Sequence, residues 1–139
     1  MKYILEDEYE YDFELIGICC HEKDYRLCWA INNLFKTALE KSNECIEIIL
    51  NKSKNHSANF SFFKYDSENQ LTSCYLIKNK SDNHILISEK QHVDYLFMIK
   101  SSEKINYDDI LVKLRTIPFV LTAHNIIVNQ LKSKEYLIF

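Results

Sequence analysis

The stretch DFELIGICC, residues 12–20, decides the fold class, because apolar side chains occupy both of its alternating faces. Phe13, Leu15, Gly17 and Cys19 fall on one face; Glu14, Ile16, Ile18 and Cys20 fall on the other. Successive strand residues point to opposite sides of a sheet, so a run with so little polar material on either side reads as a central strand. Its glycine, inside the strand, marks a place where a helix can approach closely. Beyond it the period changes. Between residues 23 and 38, Leu27, Ile31, Leu34 and Ala38 recur at helical spacing with Cys28 and Phe35 beside them. Trp29 and Asn33 lie off that stripe. A tryptophan on a helix flank belongs at the rim of the core or in an interface, and the rim is the simpler reading.

Outward from this β–helix pair the chain is rich in strand-like runs. CIEIIL (45–50) and NFSFFKY (59–65) flank a polar stretch, and QLTSCYLIKNK (70–80) and HILISE (84–89) flank a turn at Asn79–Asn83. In a chain so poor in glycine, asparagine is the expected residue where φ is positive. VDYLFMI (93–99) is a second nearly all-apolar strand. Asn106 caps a second helix whose first turn carries Asp108 and Asp109, and whose buried face is Ile110, Leu111, Leu114 and Ile117. Pro118 stops it; FVLTAHNIIV (119–128) is a strand, and LKSKEYLIF (131–139) is an apolar tail expected to dock. Two β–helix–β halves predict a single α+β domain over residues 1–139. The expected architecture is a ferredoxin-like or ACT-like two-layer sandwich, with a mostly antiparallel sheet, two main helices and extra central strands.

Composition narrows the function classes. The chain has 139 residues with one glycine and one proline, where ordinary usage gives roughly ten and seven. No Gly-rich loop is available to cradle a phosphate, which removes nucleotide P-loops and dinucleotide fingerprints. With 47% apolar and 27% charged residues the chain is of the folded type. The net charge is −3, and Arg26 and Arg115 are the two arginines, so no basic stripe offers itself to nucleic acid. Lys52, Lys54 and Lys64, diluted by Asn and Ser, read as a solvated loop, and the Asn-x-Ser matches at Asn51, Asn55 and Asn59 as chance. The acidic start, Glu6 to Glu14, is unlike a signal peptide, and no run approaches a membrane span. Cys19, Cys20, Cys28, Cys45 and Cys74 form an odd set without CxxC spacing, as suits a reducing compartment. The expectation is a cytoplasmic protein with no cofactor, no metal, no nucleic-acid partner and no membrane partner.

ISEKQHVDY, residues 87–95, resembles the signature of the IPExxxVDY family of small bacterial proteins. Ile87, Glu89, Val93, Asp94 and Tyr95 match at their spacing, and Ser88 stands where the signature has proline. DYRLCWAIN (24–32) and the terminal LKSKEYLIF also resemble recurrent segments of that family. The resemblance implies a bacterial source and assigns no activity, ligand or catalytic residue.

Glu89, Asp94 and Tyr95 are the first candidates for chemistry. A carboxylate entering an apolar strand needs a partner, and Arg26 or His21 on the first helix and its approach are the expected ones. Such a group either fixes the strand to the helix layer or binds a ligand; the structural role is the simpler. Cys20, His21 and Asp24 hold the residue types of an activated thiol. Adjacent strand positions point apart, however, and Cys19–Cys20–His21 does not match metal-ligand spacing. His56, His84, His92 and His124 are scattered singly. The leading expectation is a non-catalytic domain acting through protein association, as a homodimer across the aromatic strands 60–65 and 71–77. The alternative is an ACT-like domain binding a small ligand near His21–Arg26 and Asp94.

Overall fold

The computed structural model describes residues 13–51, 56–132 and 134–137. The elements in chain order are β1 (Phe13–Cys20), α1 (Asp24–Phe35), β2 (Glu40–Asn51), β3 (His56–Asp66), β4 (Thr72–Lys78), β5 (Lys80–Ser81), β6 (His84–Ile85), β7 (Tyr95–Ser101), α2 (Tyr107–Leu114) and β8 (Val120–Ile126). Six strands form one sheet in the order β2-β3-β4-β7-β1-β8, and every neighbouring pair is antiparallel. The protein is α+β, and β1 lies inside the sheet between β7 and β8.

Both faces of the sheet are covered. On one face Ile16, Ile18, Leu76, Phe97 and Ile99 pack against Leu27, Cys28 and Ile31 of α1 and Leu114 of α2. On the other, Leu15, Phe60, Tyr75, Leu96 and Met98 meet Leu86, Ile87 and Val93 from the segment between β6 and β7. Val128, Leu131 and Leu137 from the chain after β8 complete that cover. The described part of the tail docks through Leu131 and Leu137, as its apolar residues predict. In doing so it corrects the two-layer expectation. A third layer of irregular chain buries the face that a one-sided helix layer leaves open.

Local chemistry explains the elements. The Asn106 side chain accepts from the Asp109 N–H at 3.1 Å and caps α2. The β5–β6 hairpin turns on Asp82 and Asn83, with φ of 45° and 69°, the sign a two-residue primed turn demands. Lys36 (φ 57°) closes α1 and Gln70 (φ 59°) serves another turn, so asparagine takes one of these four positive-φ positions rather than most of them. HILISE is strand only at His84–Ile85, and residues 88–90 form a turn of 3-10 helix instead. Gly17 is tight, though not against a helix. A Cβ there would stand 2.9 Å from Val93 Cγ2 and 2.9 Å from Ile126 Cδ1, on the face away from α1. Val93 itself lies on that face, opposite to Tyr95, Phe97 and Ile99, with which a strand alternating from residue 93 would group it, because regular pairing begins only at Tyr95. The acidic start through Asp12, together with Lys52, Lys54 and Asn55, lies outside the described residues.

Candidate functional site

Residues 87–94 are held by a buried asparagine. Asn79 is fully buried, and its side chain donates to the Lys90 carbonyl (3.0 Å) and the Val93 carbonyl (2.8 Å) while accepting from the Ile87 N–H (2.8 Å). Its own N–H donates to the Asp94 carbonyl and its carbonyl accepts from Leu86. Irregular chain over a sheet carries backbone groups that a ladder does not satisfy, and one amide side chain here satisfies three of them. Sequence reading treated Asn79 as the edge of a polar turn; no periodicity distinguishes the two roles.

Asp94 and Tyr95 then reach from the start of β7 to the loop joining β1 to α1. Asp94 Oδ2 accepts from the Cys20 N–H at 2.9 Å, and Oδ1 accepts from Lys80 Nζ at 2.9 Å. The Tyr95 hydroxyl donates to the Glu22 carbonyl at 2.6 Å. Burial pushes the Tyr95 phenol upward, and the nearby Cys20, Asp24, Asp94 and Glu22 add to that. Glu89 accepts from the Lys132 N–H, tying the 3-10 turn to the C-terminal cover. Ile87 and Val93 fill the core below.

The expected partners of Asp94 are elsewhere. His21 is exposed in the β1–α1 loop. Arg26 sits on the outer face of α1, with Nε 3.5 Å from Glu22 Oε1 and its guanidinium 5.3 Å from the centre of the Phe119 ring. The structure thus brings Asp94 and Tyr95 together with the β1–α1 loop, places Glu89 against the C-terminal segment, and leaves His21 and Arg26 on the surface. Cys20, beside His21 in sequence, is buried and directs its thiol at the Glu22 carbonyl (3.9 Å). Burial pushes that thiol upward, away from thiolate character. Among the described residues, no group of three or more His, Cys, Asp or Glu is placed to hold a metal ion. None of the described helices is long and apolar enough to cross a membrane.

The aromatic strands do not present a surface. Phe60, Phe62, Tyr75 and Ile77 are all buried beneath the irregular layer, which removes them as a contact between copies. Among the described residues, the exposed aromatic surface is on α1. Tyr25 is 64% exposed and Trp29 67%, well beyond the rim position first expected for the tryptophan. Beside them run two adjoining hollows of about 470 and 640 Å³. The first is lined by Trp29, Ala30, Leu34, Pro118 and Phe119, and the second by Glu22, Lys23, Tyr25, Arg26 and Phe119. The i, i+4 spacing of Tyr25 and Trp29 was the signal for this face. No protein-family model matches the chain, nor does any curated protein or solved structure.

Proposed function

We propose that this is a non-catalytic cytoplasmic domain of the IPExxxVDY family that acts through protein association, with the outer face of α1 as the contact. One observation carries the reading: Tyr25 and Trp29 stand exposed together beside a groove floored by Phe119 and Pro118. Exposed paired aromatics with an arginine are the composition of an interface centre, where Trp, Tyr and Arg supply most of the binding energy. The five matched positions of residues 87–95 support the family assignment and its bacterial source. Their bonds hold the β1–α1 loop and the core rather than open a cleft. The sub-order β4-β7-β1-β8, with α1 following β1 and α2 following β7, supports a ferredoxin-like or ACT-like core to which β2 and β3 are added at one edge. Five free cysteines support a reducing compartment.

A second reading is favoured by the 640 Å³ hollow at the β1–α1 loop, a size that suits a small ligand of an ACT-like sensor. Photo-crosslinking separates the two. A benzophenone side chain at position 25 gives discrete protein adducts in expressing cells if α1 is a contact, while the same group at exposed Val112 on α2 does not. Equal labelling at both positions overturns the association reading. A small-molecule adduct at position 25 with no protein adduct supports the sensor.

A further inference from the structure

Away from α1, we infer that His92 and His124 form an acid-sensitive latch, which seats the turn before β7 on the sheet while His124 is neutral and releases it on protonation. The two imidazoles stack, with ring centres 5.6 Å apart and planes 13° from parallel. They come from different layers. His92 belongs to the exposed chain between the 3-10 turn and β7, and His124 to the edge strand β8. Gly17 makes the seat possible: it pairs with His124 across the strands, and a Cβ there would stand 3.2 Å from His124 Cε1. Two residues further along the same face of β1, the Cys19 thiol donates to the His92 carbonyl at 3.1 Å. One strand therefore holds residue 92 twice, by its ring through His124 and by its backbone through Cys19. Val93 shares the space over Gly17, and the Asp94 N–H donates to the Ile18 carbonyl at 3.0 Å. The latch thus sits where the irregular layer joins the ladder.

The charges around this seat are of one sign. Burial pulls the His124 imidazole below its ordinary pKa, and His92, Lys90 and Arg115 pull the same way. Lys90 comes from the 3-10 turn; Arg115 follows α2 and donates from Nε to the carbonyl of Ala123, the neighbour of His124. From β1 come Gly17 and the Cys19 thiol, neither of them charged. The carboxylates flanking His92 in sequence are engaged elsewhere, Glu89 with the Lys132 N–H and Asp94 with the Cys20 N–H and Lys80. A proton on seated His124 therefore meets cations and no compensating acid. With the turn released, the ring in water takes up its proton at the ordinary imidazole value of about 6.5, above the value it has when seated. The released form binds more protons, so closure weakens as pH falls through that value and is unaffected above it. Histidine is the side chain whose ordinary pKa places such a change near physiological pH.

Hydrogen exchange on the full chain, read by mass spectrometry and corrected for the intrinsic pH dependence of exchange, tests the latch. The reporters are peptides spanning residues 88–94, whose Lys90, Val93 and Asp94 amides donate to the Ile87, Lys90 and Ile18 carbonyls. β7 is the reference. From about pH 7.5 to about pH 5.5 the turn loses protection several-fold, with about ten-fold the ceiling for one imidazole of ordinary pKa, while β7 keeps its own. In His124→Phe, which keeps a ring and removes the titration, the loss disappears. NMR titration of the His124 Cε1 proton gives a midpoint below the ordinary imidazole value, and the midpoint rises in His92→Gln, a change at an exposed position that spares the core. Turn protection indifferent to pH overturns the inference, as does a His124 midpoint at or above the ordinary value. A loss shared equally by β7 is global acid unfolding and overturns release of the turn. A loss undiminished in His124→Phe, or a midpoint unmoved in His92→Gln, overturns the pair as the group responsible.

Discussion

The carboxylate of Asp94 accepts a hydrogen bond at 2.9 Å from the backbone N–H of Cys20, 74 residues earlier in the chain. With the Tyr95 hydroxyl on the Glu22 carbonyl, it fixes the loop from which α1 departs, and so the direction of the face that carries Trp29. The adjacent pair Asp94 and Tyr95 thus orients the exposed α1 face from beneath without forming part of it.

Asp94→Ala leaves the Cys20 N–H and Lys80 without their acceptor and destabilises the fold by about 2 kcal/mol. Asp94→Asn keeps an acceptor and costs less. Asn79→Ala removes three side-chain bonds to buried backbone and costs more than either, on the order of 3 kcal/mol or above. Urea denaturation ranks the three variants; a melt unchanged by Asp94→Ala contradicts the structural role.

Alkali weakens the fold before it would weaken an ordinary surface-charged domain. Burial holds the Cys28 and Cys74 thiols at about 11 and pushes the Tyr95 phenol above its usual value. These groups lose protons more readily unfolded than folded, so their stabilisation is complete below about pH 8.5 and falls as pH rises toward 11. The urea midpoint drops across that window, and Cys28→Ala/Cys74→Ala makes the drop shallower. A midpoint flat from pH 8.5 to 11 contradicts the burial of these groups.

Gly17→Ala forces a methyl against Val93 and Ile126, both buried and able to yield little. Overpacking of this kind costs roughly 1–3 kcal/mol. A stabilised Gly17→Ala protein, read by the same denaturation, would mean that the irregular layer gives way.

Thiol labelling of the native protein follows exposure. Cys45 is exposed and reacts first, half-buried Cys19 follows, and buried Cys20, Cys28 and Cys74 react on the timescale of unfolding. Rapid selective alkylation of Cys20 would restore the nucleophile that the structure argues against.

Much of the fold is legible in residues 12–38 and 93–128, where periods of two and 3.6 are long enough to distinguish strand from helix. β1, α1, β7, the Asn106 cap and β8 follow from them. The irregular cover does not, because Ile87, Val93, Leu131 and Leu137 are buried without any period, and burial without a period looks like a strand or a tail. Without that cover Phe60 and Tyr75 read as surface residues, whereas the structure buries both. For the site, Asp94 was recognisable as an acid needing a partner, but its actual partners are a backbone N–H and a lysine beyond a turn, neither of which side-chain spacing encodes. Trp29 was visible as an off-stripe residue; what lay opposite it depended on the path of Pro118 and Phe119.

Trp29 is the chain's one tryptophan, so its emission reports on the α1 face alone. Between micromolar and millimolar protein the emission maximum should move from the red, water-exposed range to the blue as copies of the chain bury the ring. An emission maximum that stays red and constant across that range contradicts α1 as the contact between copies.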